Sequence, residues 1–132
     1  RFRNVKSERA TLRSGDYSAS IGSASLVDVV SIERKSVPDL VNSLVTGRER
    51  FERELSRLHK LRWRALVVEG DLREIAAGST FSSLTPKQIM SPLHAWCWKY
   101  GLAVWPCPDR AWAARTVELL LWHAARYWTE EQ

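Results

Sequence analysis

Two kinds of hydrophobic spacing alternate along the chain, and together they predict a mixture of strands and helices. Tyr17–Ile21 alternates, Gly22–Ser25 is rich in turn residues, and Leu26–Glu33 is β-branched and apolar, which predicts a β-hairpin. Short apolar runs at 65–69 and 103–105 predict two further strands. Apolar residues at helical spacing predict helices over 36–46, 48–61, 71–77, 86–100 and 109–128. This order predicts a three-layer α/β domain, in which helices flank a central sheet.

Individual residues indicate where two of the predicted helices begin and where one of the predicted strands ends. The sequence Ser36-Val37-Pro38-Asp39 places a capping hydroxyl, a first-turn proline and a carboxylate at a helix start. Thr85 before Pro86 is a second candidate cap. Pro106 is predicted to end the strand 103–105.

Composition places the chain among ordinary globular domains. It has 132 residues, 27% of them charged, which suits one domain with a core of its own. No stretch approaches about 20 uncharged apolar residues, so no membrane span is predicted. Cys97 and Cys107 have no metal-ligand spacing and do not make a disulfide framework, so we expect two reduced thiols in an intracellular protein.

The formal charge of +5 is unevenly distributed. Residues 1–15 hold five basic residues and one acidic residue, and 48–64 hold seven basic and three acidic residues. Between them, 16–47 is net acidic. An acidic cluster between two basic segments suits a polyanion whose charged backbone must approach a bound metal ion.

The candidate chemistry lies in that acidic segment. Asp16 begins one predicted strand, and Glu33 and Lys35 fall on one face of the next, with Arg34 on the other. Two carboxylates can hold a hard cation such as Mg²⁺, and a nearby lysine can orient the attacking water or neutralise the transition state of phosphodiester hydrolysis. Simpler interpretations exist: a turn at Asp16, a structural Glu33–Lys35 ion pair, and helix capping by Asp39.

The full spacing, Gly15-Asp16…Glu33-Arg34-Lys35-x-x-x-Asp39, resembles the signature of the XPF-type structure-specific nuclease domain. That family is a branch of the restriction-endonuclease-like PD-(D/E)XK superfamily. The similarity continues through Gly47–Phe51 and the strand ending at Glu69, so it covers about residues 12–70 closely. It implies a restriction-endonuclease-like fold with a central mixed sheet.

The resemblance also implies roles for individual residues. Asp16 and Glu33 would be ligands of Mg²⁺ or Mn²⁺, with the Arg34 carbonyl as a further ligand. Lys35 would be the catalytic lysine, and the Arg34 side chain and Asp39 would belong to the same cluster. The family's earlier strand, bearing Asp-x-Arg-Glu, has no counterpart here, since no acidic residue precedes Glu8. We therefore expect residues 1–132 to be a single nuclease domain that lacks the family's first strand.

The implied function is a metal-dependent DNA endonuclease that cuts branched or flapped DNA near single-strand/double-strand junctions, in repair or recombination. Two alternatives stay open: a non-catalytic DNA-binding or dimerisation subunit, and another PD-(D/E)XK nuclease acting on linear duplex DNA. An intracellular location means the cytoplasm or nucleoid, or the nucleus in a eukaryote. Branch geometry and cleavage polarity stay open.

Two surfaces are predicted to meet partners. On the second helix, Arg50, Arg53, Arg57 and Lys60 lie roughly on one side and form a basic stripe, although three glutamates share that helix. The predicted DNA contacts are Arg48, Arg50, Arg53 and Arg57, with Arg48 and Arg50 near the site. The closing helix is apolar almost all round at 119–122. One small domain cannot easily bury such a helix, so we expect a homodimer or a partner chain with a nuclease fold.

Overall fold

The computed structural model describes residues 5–9, 17–21, 23–78 and 83–132, and for 5–9 only the backbone path is described. The predicted metal ligand Asp16 lies outside the described residues. The strands are β1 Val5–Arg9, β2 Tyr17–Ile21, β3 Ala24–Ser25, β4 Val30–Ser36, β5 Trp63–Glu69 and β6 Ala103–Cys107. The helices are α1 Val37–Leu44, α2 Arg48–Leu58, α3 Leu72–Ala77, α4 Pro86–Lys99 and α5 Arg110–Glu130.

The strands form one mixed sheet in the order β1-β2-β4-β5-β6, with β3 paired to β2. The β1–β2 and β2–β4 pairs are antiparallel, whereas β4–β5 and β5–β6 are parallel. The described β2–β4 register consists of one pair, Tyr17 with Ile32. This is the α/β architecture with helices on both sides of a mixed sheet that the sequence predicts.

Each face of the sheet has its own hydrophobic core. Leu66 and Val68 of β5 face a cluster that includes Leu40, Phe51 and Trp96 from α1, α2 and α4. On the opposite face, side chains from β4 and β5 pack against α5. The apolar members of β4 and β5 on that side are Val30, Ile32, Ala65 and Val67. Both faces of β5 are therefore covered, as its continuous apolar run predicts.

Hydrogen-bonded caps fix where the helices begin. The Asp39 backbone N–H donates to the Ser36 hydroxyl at 3.2 Å, and Ser36 is also the last residue of β4. Thr85 and Gln88 form a reciprocal capping box at the start of α4. The turn from β4 into α1 thus takes no connecting loop, and it holds the end of β4 rigidly against α1.

Arg64 ties together the two loops that enter the parallel strands. Its guanidinium donates to the carbonyls of Leu61 and Tyr100, both at 2.9 Å, and to further carbonyls in the same two loops. Burial lowers the pKa of Arg64. Gly101, at φ +60°, lies so close that a Cβ there would come within 2.6 Å of Arg64 Nη1. The backbone conformation favours glycine here, and a side chain would also have to displace the Arg64 guanidinium from its carbonyl partners.

Several predicted boundaries were wrong. The second hairpin strand does not begin at Leu26: residues 27–29 form a turn, and the buried Leu26 plugs the core beside it. β6 passes through Pro106 to Cys107, because β6 is an edge strand and an edge strand tolerates a residue without an N–H. α2 ends at Leu58, and α5 continues to Glu130.

Within the described residues, no helix is both long and apolar enough to cross a membrane. Cys97 and Cys107 are both free thiols.

Candidate active site

Glu33 and Lys35 lie side by side on one face of β4. The Lys35 Nζ is 3.4 Å from Glu33 Oε1, and the two side chains are only 16% and 9% exposed. Their register partners on β5 are Val68 and Leu66, so the pair sits beside an apolar surface. A carboxylate is costly to bury, and the adjacent ammonium offsets much of that cost. The pattern of alternating faces in the sequence predicted this juxtaposition.

An aromatic ring limits where Lys35 can go. The Lys35 Nζ lies 4.7 Å from the centroid of Phe51, a buried residue of α2. Phe51 in turn meets Trp96 of α4 edge to face, with ring centroids 5.4 Å apart. The ammonium is therefore held between a carboxylate and a ring face, and both attract positive charge.

Arg34 lies on the opposite face of β4, away from Glu33 and Lys35. Its Nε donates to Glu69 Oε2 at 2.7 Å, and its Nη2 donates to the Arg110 carbonyl at 3.2 Å. Burial alone would lower the pKa of Arg34, but the hydrogen bond and charge of Glu69, with smaller contributions from Tyr17, outweigh it and raise the pKa. The Arg34 side chain therefore links β4 to the end of β5 and to the start of α5.

Sequence reasoning missed the Arg34–Glu69 pair, because 35 residues separate the two. One signal could have found it: Glu69 ends the neighbouring parallel strand, opposite Ser36 and thus on the face of Arg34.

Asp39 is exposed in the first turn of α1. Its backbone N–H donates to the Ser36 hydroxyl, and its carbonyl accepts from the Ser43 hydroxyl at 3.0 Å. Within the described part of the chain, its carboxylate makes no ion pair. Ser36, not Asp39, is the cap of α1, and the Asp39 carboxylate is open to solvent.

The four arginines predicted to contact DNA differ in their surroundings. Three of them pair with glutamates four residues away on α2, at 3.2 Å for Arg48–Glu52, 3.8 Å for Arg50–Glu54 and 3.3 Å for Arg53–Glu49. Arg48 and Arg53 line cavities on the side of α2 that faces α4, whereas Arg50 and Arg57 line neither of these cavities. The stripe is therefore partly a salt-bridged helix face.

Glu52 is the centre of a polar cluster between α2 and α4. It pairs with Arg48 and, at 3.7 Å, with Lys99, and it accepts the Tyr100 hydroxyl at 3.3 Å. Burial would raise the pKa of Glu52, but the hydrogen bond and charge of Arg48, together with Lys99 and Trp96, lower it. The guanidinium carbon of Arg48 also lies 6.0 Å from the centroid of the Trp96 ring.

The described residues include one of the two predicted metal ligands, Glu33. Glu33 offers a carboxylate, and Tyr17, which follows Asp16 in sequence, pairs with Ile32 beside Glu33. Among the residues that the structure describes, no group of three or more His, Cys, Asp or Glu side chains could hold a metal ion.

A mixed sheet covered by helices, with an acid-x-Lys pair on its central strand, defines the class of restriction-endonuclease-like α/β domains. Comparison with known proteins identifies the particular family. The model of the ERCC4 domain matches residues 1–120, and the chain belongs to that family of nuclease-type domains.

Solved structures show the same fold. XPF from Aeropyrum pernix superposes with a TM-score of 0.68 at 22% identity, over 92% of this chain and 54% of that one. XPF from Aeropyrum pernix in complex with DNA gives 0.61 at 23% identity, over 93% and 53%. This chain thus spans about half the length of those XPF chains. A search of curated proteins found no match.

Proposed function

We propose that this domain is a metal-dependent DNA endonuclease that cuts branched or flapped DNA near single-strand/double-strand junctions. The observation that carries the proposal is the buried Glu33–Lys35 pair, 3.4 Å apart on one face of the central strand. Membership of the ERCC4 domain family supports the reaction class. The DNA-bound relative supports DNA as the substrate class.

Glu33 and Asp16 are the proposed ligands of Mg²⁺ or Mn²⁺. Their carboxylate oxygens are the donors that hard divalent cations prefer, and Asp16 directly precedes a strand paired with β4. When bound, such an ion lowers the pKa of a coordinated water and stabilises charge on the phosphate. The Arg34 carbonyl is a further proposed ligand.

Lys35 is the proposed catalytic lysine. Glu33 and the face of Phe51 hold its ammonium in place. A positive charge fixed before the substrate arrives costs no reorganisation when negative charge develops on the phosphate. Asp39 and the Arg34 side chain have weaker support as catalytic groups, because Asp39 is exposed in the first turn of α1 and Arg34 binds Glu69 on the opposite face.

The test is cleavage of labelled flap, fork and linear duplex DNA with Mg²⁺ or Mn²⁺ by the wild-type chain, Lys35→Ala and Glu33→Gln. A version extended upstream by the family's first strand completes the set. We expect cutting confined to branched DNA that both substitutions abolish. Full activity of Lys35→Ala would overturn the proposal. Cutting of linear duplex would indicate a different nuclease of the superfamily, and DNA binding without cleavage by either length would indicate a non-catalytic subunit.

We further propose that the domain pairs with a second copy of itself. Trp105 on the edge strand β6 is 48% exposed, and Tyr127, which is 54% exposed, lines an apolar trough between α5 and the sheet. The trough has a volume of about 460 Å³. Sedimentation velocity should show a dimer that Trp105→Ala weakens; a monomer at all concentrations would contradict this.

We also propose an intracellular location, which the free thiols of Cys97 and Cys107 suit.

A further inference from the structure

Two cavities open between α2 and α4, and they meet at Arg48. One, of about 510 Å³, is lined by Arg48 together with Lys87, Gln88 and Ser91 of α4. The other, of about 620 Å³, is lined by Arg48, Arg53 and Lys99, among others. We call the two together the α2–α4 groove. From these features we propose that the α2–α4 groove binds single-stranded DNA, with phosphates on its cations and a base stacked on Trp98. The inference rests on the proposed function, since it assigns the unpaired arm of the same substrate.

The cations of the groove have donors to spare. Lys87 forms no ion pair among the described residues, and Lys99 is 63% exposed. Arg48 uses its Nε for Glu52, which leaves its two terminal amino groups free to point at an acceptor. Arg guanidinium and Lys ammonium groups of this kind are the usual contacts of a nucleic-acid backbone.

The two carboxylates in the groove weaken this positive field without cancelling it. Glu52 is surrounded by Arg48, Lys99 and the Tyr100 hydroxyl, so its charge is already compensated. Glu49 pairs with Arg53 at 3.3 Å, and its side chain is 91% exposed, so solvent screens it. Four cations against two carboxylates leave the groove electropositive.

Trp98 supplies a surface for a base. It is 91% exposed, more than any other large hydrophobic residue described. It follows Ala95, which lines the first cavity, by three residues and precedes Lys99, which lines the second. Residues three apart share a side of a helix, so Trp98 lies on the side of α4 that carries Ala95, and we call this exposed residue the rim of the groove. An indole exposed beside cations is the arrangement that stacks unpaired bases.

An unpaired strand fits these features better than a duplex. Stacking on Trp98 requires a free base face, which a duplex keeps inside its own stack. Two buried rings separate the groove from the proposed catalytic centre: Lys35 lies over Phe51, Phe51 packs on Trp96, and Arg48 lies over Trp96. Arg48 and Lys35 therefore contact the same pair of packed rings.

The experiment measures fluorescence anisotropy of a labelled oligothymidylate of about 16 nucleotides and of a blunt duplex, both in EDTA so that no cleavage occurs. The variants are Trp98→Ala, Trp98→Phe and Lys87→Ala. Trp112→Ala is the matched control, because Trp112 is also an exposed tryptophan but lies on α5.

We expect Trp98→Ala to raise the Kd for the single strand about tenfold, with Trp98→Phe near wild type and Trp112→Ala unchanged. Lys87→Ala should reduce the slope of log K against log salt by about 0.7.

Each other result overturns the proposal. Unchanged single-strand affinity in Trp98→Ala and Lys87→Ala would show that DNA binds elsewhere, and so would equal losses in Trp112→Ala. If Trp98→Ala instead converts a dimer to a monomer in sedimentation velocity with DNA binding intact, the rim contacts a second copy. Since binding is measured without metal, a failure of cleavage would leave this result standing. Conversely, if the wild-type chain cleaves DNA but Trp98→Ala and Lys87→Ala bind the single strand as wild type does, the proposal for the groove is wrong and the proposed nuclease function stands.

Discussion

The Nε of Arg34 lies 2.7 Å from Glu69 Oε2, on the face of β4 opposite Glu33 and Lys35. Both side chains of this pair are 17% exposed, and the pair joins β4 to the last residue of β5. The strand that carries the proposed catalytic residues is thus anchored from behind by the residue between them.

Glu69→Gln should lower the free energy of unfolding by about 2 kcal/mol, because it leaves a partly buried guanidinium without its charged partner. Chemical denaturation measures this. Glu118→Gln is the matched control, since the Arg115–Glu118 pair is 38% and 45% exposed and should contribute no more than about 0.5 kcal/mol. Equal losses in the two variants would show that the Arg34–Glu69 pair behaves as a surface ion pair. Cleavage per folded molecule should be retained in Glu69→Gln.

Lys35 and Glu33 should be energetically coupled. Lys35→Ala leaves the buried Glu33 carboxylate without the ammonium 3.4 Å away, so Lys35→Ala combined with Glu33→Gln should cost less than the two single changes added together. A double-mutant cycle in urea should give a coupling of about 1 kcal/mol. Strict additivity would mean that the two groups do not interact in solution.

Phe51→Leu should slow cleavage more than it weakens DNA binding. Leucine fills most of the volume but removes the ring face that lies 4.7 Å from Lys35 Nζ, so the ammonium gains freedom. Its stability cost should stay near 1 kcal/mol. Steady-state cleavage should show a lower kcat at similar KM. Leu58→Val trims the same core cluster and should leave kcat unchanged; an equal fall in kcat there would point to general loosening of the core.

Acid should destabilise the domain partly through Glu52. Its pKa is lower in the folded chain than in the unfolded chain, so the contribution is present above the ordinary glutamate pKa and is lost as pH falls through the folded value. Urea unfolding at pH 7 and at pH 3 should therefore show a smaller acid-induced loss for Glu52→Gln than for wild type. Glu49→Gln, at a carboxylate that is 91% exposed, should behave like wild type. An identical acid-induced loss in Glu52→Gln and wild type would contradict the role of Glu52.

What could be predicted from the sequence was mostly local. Strand parity placed Glu33 beside Lys35, and the hydroxyl at Ser36 marked the start of α1, since both depend on residues within one element. The turn at 27–29 could not be predicted from composition. Leu26 looks like the start of an apolar strand, but it is apolar because its side chain packs in the core.

The missed features depend on contacts distant in sequence. Glu69 meets Arg34 only because β4 and β5 pair in parallel register, and Lys87 and Lys99 share a groove with Arg48 only after α4 packs beside α2. Neither has a signal in any short window of the sequence.

Because side chains alternate along β4, the tripeptide Glu33-Arg34-Lys35 presents different residues to the two faces of the sheet. Its outer members serve the proposed chemistry on one side of the sheet, while the central one holds the strand in place from the other. Inserting or deleting a single residue between Ser31 and Glu33 would exchange the sides, placing a guanidinium among the apolar residues of α2 and turning both proposed catalytic groups toward α5. Insertions or deletions of one residue should therefore be tolerated less well in this strand than any one substitution, because they would remove the Arg34 anchor and the proposed catalytic pair together.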